Sequence, residues 1–185
     1  MYHIKHDKRA QASTELICAG LLACMKEKPF ARITITDVQR ASSVSRSTFY
    51  RNFDCLEDVL ALLCDRGFQA VFTEYNALPP EQRGILAKAV FQYWFCNSAV
   101  LEALVEIHRT DILFDSLRRS TGLIEALQPL ADDPAQFDYF VAIITSTMVG
   151  ILTVWVEHGK TETEEQMVQK LAGAFAEMAI LELPG

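Results

Sequence analysis

The chain has 185 residues, of which 50% are hydrophobic and 22% charged, with a formal net charge of −7. That is enough apolar material for one large or two small cores, and it excludes an intrinsically disordered chain. The acidic total argues at first against nucleic acid, but residues 1–53 hold nine Lys/Arg against four Asp/Glu, +5, while the remainder holds eight against twenty, −12; a basic head on an acidic body steers polyanions to one end.

Residues 1–7 read as a mobile tail, too charged to be a signal peptide, whose Lys5 joins Lys8 and Arg9 as a reserve of positive charge. His3 and His6 have no Cys or carboxylate at ligand spacing, so no metal site is expected. From Asp7 to about Lys28 the spacing predicts a helix with Leu16, Ala19 and Ala23 on one apolar strip and Ile17, Leu21 and Met25 beside it, closing at Pro29-Phe30. Five cysteines (Cys18, Cys24, Cys55, Cys64, Cys96) form an odd set without C-x-x-C spacing, which suits a reducing cytoplasm with most of them buried as small hydrophobes.

The stretch from Thr34 to Phe53 packs two short helical patterns around a tight connection. Thr34 is placed to cap the first, with Asp37 favouring the positive end of its dipole and Val38 facing inward. Ser42-Ser43-Val44 makes the turn, and Ser45 caps a second helix of about two turns with Thr48 in its first turn. Phe49 and Phe53, four apart, share its inner face; Ser47 and Arg51 centre the opposite face, flanked by Thr48 and Tyr50, with Arg46 projecting from the first turn. A short polar helix backed by aromatic anchors has the size and chemistry to enter a DNA major groove.

The run Val44-Ser45-Arg46-Ser47-Thr48-Phe49-Tyr50-Arg51-Asn52-Phe53, preceded by Pro29-Phe30 and Ile33-Thr34-Ile35, resembles the DNA-binding motif of the TetR family of transcriptional regulators. The resemblance is sharp from about Lys8 to Leu63 and architectural beyond. It implies an all-α protein in which an N-terminal three-helix helix-turn-helix DNA-binding domain, residues 1–54, is joined by a long helix to a helical effector-binding and dimerisation domain, residues 55–185. It implies that Arg46, Ser47 and Tyr50 reach base edges and that Thr36, Thr48 and Asn52 touch phosphates or nearby bases, with Thr34, Ser45 and Arg51 completing the expected DNA-binding set. Two positions depart from the family pattern. Ser43 stands where Gly is usual, in a turn that often needs positive φ, at a cost of about 1 kcal/mol. Leu56 stands where a Lys is common, so one expected phosphate contact is missing.

After Phe53, Asp54 is expected to cap a long helix reaching about Asn76, with Gly67 as its weakest point and a place to bend. Pro79-Pro80 stops it. Residues 81–131 are helical and rich in aromatics, which in a helical domain mostly fill the core. With the family resemblance they imply an effector cavity drawn from Phe91, Trp94, Phe95, His108, Phe114 and Leu117, joined by Ile144, Thr147 and Met148, for a small apolar or aromatic effector.

Asp132-Asp133-Pro134 marks the next break, after which two long helices are expected, about 135–157 and 163–181, separated by His158-Gly159. Tyr139 to Val156 is uncharged and, at 1.5 Å per residue, about 27 Å long. Thr145, Ser146, Thr147 and Thr153 dilute it and its flanks are acidic, so the expectation is not a membrane span but a helix buried on two sides, by its own domain and by a partner. Similarity to the family implies a homodimer through an isologous four-helix bundle, with Gly150, Val154, Trp155, Met167, Leu171, Phe175 and Met178 at its interface. The chain contains no Gly-x-Ser-x-Gly, no H-E-x-x-H and no phosphate-cradling glycine loop, so neither catalysis nor a cofactor is expected. The sequence therefore reads as a cytoplasmic, ligand-responsive DNA-binding regulator, and its similarity to the family implies a repressor that leaves a palindromic double-stranded operator when an effector binds. The alternative is a partner-gated adaptor whose second domain binds a protein instead of a metabolite.

Overall fold

The computed structural model describes residues 2–4, 7–125, 127 and 133–180, the last three of these by backbone alone. Among the described residues there is no strand, and nine α-helices with short 3-10 turns carry the fold.

Helix α1, Lys8–Glu27, starts where the Asp7 carboxylate accepts from the Arg9 and Ala10 amides. Its inner strip is Ile17 and Leu21, both wholly buried, with Thr14, Gly20 and Cys24, whereas Leu16 is 52% exposed and Ala19 and Ala23 face solvent. The strip expected to lead is therefore the outer one. The reason is Gly20: a β-carbon there would lie 2.9 Å from Ser42 Cβ and 3.1 Å from Ser42 N, so the next helix crosses on that side.

That helix is α2, Ile35–Ser42, reached through a 3-10 turn at Phe30–Arg32. Thr34 and Asp37 form a reciprocal capping box, the Asp37 amide donating to Thr34 Oγ1 and the Thr34 amide to Asp37 Oδ2. Lys28 Nζ, 2.7 Å from the same carboxylate, and then the Thr34 hydroxyl and amide hold Asp37 well below the usual carboxylate range. Ser43 ends α2 at φ 57°, in the left-handed region the sequence pointed to. Helix α3, Arg46–Asn52, is capped by Ser45 Oγ, which accepts from the Thr48 amide. Phe49 and Phe53 are fully buried with ring centroids 5.8 Å apart, in one core with Val38, Ile17 and Leu21. Each phenylalanine contributes about 1.5–3 kcal/mol by leaving water.

Helix α4, Leu56–Ala77, is the longest connection between this head and the rest. Its N-cap is Cys55 rather than Asp54, and no side chain caps it there; instead Asp58 reaches back from the first turn to accept from the Asp54 amide at 2.9 Å. Gly67 is a point of close approach and not a place to bend, because a β-carbon would lie 2.7 Å from the Tyr93 ring. Helices α5 (Leu86–Cys96), α6 (Ser98–Glu106), α7 (Thr110–Ser120), α8 (Pro134–Glu157) and α9 (Glu164–Ile180) complete the body. Helix α8 is long and apolar enough to cross a membrane by length and composition alone, with mean hydropathy 2.0 over an 18-residue window, a third of it buried. Its inward residues, among them Thr145, Met148, Leu152 and Trp155, pack on α6 and α7, while α9 packs on α5.

The tail, expected to be mobile, is docked at the residues described. Tyr2 Oη donates to Asp65 Oδ2 at 2.5 Å, Ser116 Oγ and Arg119 Nη2 donate to Asp65 Oδ1 at 2.5 and 2.7 Å, and the His3 amide donates to the Asn52 carbonyl at 3.0 Å. Burial, reinforced by the Asp65 carboxylate, pushes the Tyr2 phenol up to about 12. Lys5 and His6 lie outside the described residues, as does Asp132 of the expected break.

Candidate nucleic-acid interface and effector cavity

The outward side of α3 presents Arg46, Ser47, Tyr50 and Arg51 to solvent. Arg46 and Tyr50, one turn apart, are paired: the guanidinium lies 5.5 Å from the ring centroid and Nη2 donates to the phenol oxygen at 3.4 Å. Ser45 Oγ sits 3.1 Å from Ser47 Oγ and 2.9 Å from Thr48 Oγ1, a hydroxyl cluster at the positive end of α3. Thr36 is exposed, whereas the Thr34 hydroxyl is committed to Asp37 through the capping box. Asn52 differs most from expectation. It is only 1% exposed and its Nδ2 donates to the Thr48 carbonyl at 2.9 Å, so it packs into the head instead of standing on the outward face of α3. A side chain that bonds back one turn cannot be told from an outward one by helical spacing. The first two turns of α1 line a groove with α3, bringing Arg9 and Ser13 beside Thr48, Arg51 and the edge of Asn52. Sequence reasoning named Arg9 only as tail charge and missed Ser13, because nothing local aligns α1 with α3.

In the body, an apolar cavity of about 180 Å³ opens between α4, α5, α7, α8 and α9. Of the residues expected around an effector, Leu117, Ile144, Thr147 and Met148 line it, together with Phe72, Val90 and Phe175. The others stand elsewhere. Phe91 and Trp94 are core residues, Trp94 meeting Phe68 edge-on at 5.3 Å. Phe95 stacks on Trp155 at 4.1 Å. His108 is exposed at φ 55°, closing α6 as its left-handed C-terminal residue while the Arg109 amide bonds back to Leu104 O at 2.8 Å. Phe114 lies on the far side of α8, in a shallow surface groove with Val149, Gly150 and Val154.

The residues expected at an interface divide similarly. Gly150 and Val154 face outward on α8, and Phe175 is 37% exposed on α9. Trp155 and Met167 are buried within the chain, and Leu171 is on the cavity wall. Tyr139 and Ile143, 71% and 54% exposed, extend the Gly150–Val154 side of α8 into a mainly apolar stripe, broken by the exposed Ser146, that the sequence reading missed. A helix apolar on every side gives no period from which to choose its outer face. The side chain of Met178 lies outside the described residues.

No family model matches the chain, and no curated protein matches it. Solved structures do. Lin0861 from Listeria innocua superposes with a TM-score of 0.73 at 17% identity, over 95% of this chain and 96% of that one. A protein described as a TetR-family transcriptional regulator, from Syntrophomonas wolfei str. Goettingen, gives 0.64 at 18% identity over 94% and 97%. A TetR transcriptional regulator from Streptococcus agalactiae 2603V gives 0.58 at 18% identity over 89% and 94%. The chain has the TetR-family fold. Within this TetR-type architecture the two departures read from the sequence acquire geometry. Ser43 takes the left-handed turn without glycine, and Leu56, 8% exposed, is spent on the core at the start of α4.

Proposed function

We propose that the chain is a homodimeric DNA-binding transcriptional regulator, a repressor released from a palindromic operator by a small molecule, acting in the cytoplasm and catalysing nothing. The observation that carries this reading is α3 itself: a two-turn polar helix presenting Arg46, Ser47, Tyr50 and Arg51, fixed from behind by two wholly buried phenylalanines, at the basic end of an acidic chain. Residues 1–54 form the reading head and residues 55–185 the effector-binding and dimerisation body. Two heads joined through the apolar stripe of α8 meet half-sites whose centres lie a multiple of one helical turn apart, and affinity falls steeply with salt as the cations displace counterions.

Head and body touch through specific bonds that give an effector its leverage. The Phe30 amide donates to Glu106 Oε2 on α6 at 3.0 Å, and Arg66 on α4 grips Glu15 on α1 at 2.6 and 3.1 Å. A ligand that prefers a different packing of α4 against α5 and α7 moves these grips and so the spacing of the heads. It lowers operator affinity by its differential binding energy, typically about 1–3 kcal/mol.

The test is selection of bound sequences from random duplex DNA, repeated with Arg46→Ala. The expected result is a palindromic preference that loses about 1–3 kcal/mol of discrimination in the variant. Equal, negligible binding to every duplex at low ionic strength overturns the reading.

A further inference from the structure

The effector cavity, taken as the ligand site under the function proposed above, also restricts what the ligand can be. Its described walls carry no ionisable side chain. Against those walls a carboxylate, phosphate or ammonium meets no counter-charge, so its desolvation goes uncompensated there, which favours a neutral ligand. The volume of about 180 Å³ is close to that of an apolar protein cavity known to accept benzene, about 150 Å³. One six-membered ring with one or two small substituents fills it.

The polar atoms on the wall narrow the choice again. Only two hydroxyl side chains line the cavity among the described residues, Thr121 and Thr147. Both have already committed their protons to their own helices. Thr147 Oγ1 donates to the Ile143 carbonyl and Thr121 Oγ1 to the Arg118 carbonyl, each at 2.8 Å. What remains on each oxygen is lone-pair capacity, and the Met148 thioether is likewise an acceptor only. The described wall therefore offers side-chain acceptors and no free side-chain donor. We infer that the cavity selects a neutral, single-ring apolar compound that carries one hydrogen-bond donor, such as a phenol or a cyclic alcohol, over ligands of the same size that can only accept.

The experiment is calorimetric titration of the purified, DNA-free full chain with four probes of matched size: p-cresol, toluene, anisole and benzoate. The expected result is that p-cresol binds about 3- to 10-fold more tightly than toluene or anisole, as one hydrogen bond to a neutral acceptor contributes, and that benzoate does not bind. In the Thr121→Val/Thr147→Val double variant the p-cresol advantage collapses while toluene affinity is kept, and the toluene arm doubles as the check that the variant is folded. If the double variant fails that check, Thr147→Val and Thr121→Val singly carry the same comparison. Anisole or benzoate matching p-cresol, an advantage that survives removal of both hydroxyls, or no binding by any probe at millimolar concentration overturns the inference. Operator release is read separately on the DNA complex, so p-cresol that binds with this selectivity yet leaves DNA affinity unchanged sinks the effector-release reading and supports the ligand class.

Discussion

Replacing Gly20 with Ala tests whether the head is built on a backbone contact. The new β-carbon would lie 2.9 Å from Ser42 Cβ, 3.1 Å from Ser42 N and 3.1 Å from the Val38 carbonyl oxygen. None of these is the far end of a flexible side chain, so α2 must retreat from α1 by a few tenths of an ångström along its length. Alanine gains about 1 kcal/mol of helix propensity over glycine. Overpacking a dense contact costs about 1–3 kcal/mol, and a clash with backbone belongs in the upper half of that range. The expected net effect is a loss of about 1–2 kcal/mol, read as a lower urea midpoint with an unchanged m-value. Because α2 is joined to α3 through only Ser43, Val44 and Ser45, operator affinity should fall with it. A gain in stability of about 1 kcal/mol, the value expected for an unhindered helical glycine, would refute the reasoning.

Three further outcomes follow from bonds described above. Asp37 is held below the usual carboxylate range by Lys28 and Thr34, so its contribution to stability is full above its unfolded value of about 3.9 and is lost as pH falls further, through the folded value. The melting-temperature gap between wild type and Asp37→Asn should accordingly be widest near neutrality and shrink from about pH 4 downward; a gap that stays constant through that window counts against the capping role. Tyr2→Phe removes the donor to Asp65 and should cost about 0.5–1.5 kcal/mol at pH 7. Since the Tyr2 phenol is raised to about 12, its bond contributes fully below the unfolded value of about 10 and is lost as pH rises through 12, and an alkaline spectrophotometric titration should find one late-titrating phenol fewer in the variant. Val154→Glu puts a charge into the apolar stripe of α8 and should convert the proposed dimer to monomer in sedimentation velocity without lowering the melting temperature of the monomer, an expectation undone if the mass is unchanged.

What could be read from the sequence was whatever depends on near neighbours. The capping box of Thr34 and Asp37, the Ser45 cap and the Phe49–Phe53 pair all form within four residues, so side-chain type and spacing determine them. Where a residue's role depends on what packs opposite, the reading fell short. Leu16 and Ile17 are both apolar and adjacent, and only the crossing of α2 at Gly20 turns one outward. Gly67 looked like a weak point until Tyr93 came to lie on it, and Trp155 like an interface residue until Phe95 stacked against it. His108 and Asn52 have polar side chains suited to ligand or DNA, yet one closes a helix and the other bonds back into its own turn.

The Asp65 carboxylate sets an order of assembly. The head can bury Phe49 and Phe53 as soon as α1, α2 and α3 exist, using partners within a few dozen residues. Tyr2 must wait, because the site that receives it is finished only when Ser116 and Arg119 have been synthesised and α7 has come to rest on α4. During translation Tyr2 is thus among the last residues to settle, and its arrival fastens the C-terminal end of α3 through His3 only after the body beneath it has formed.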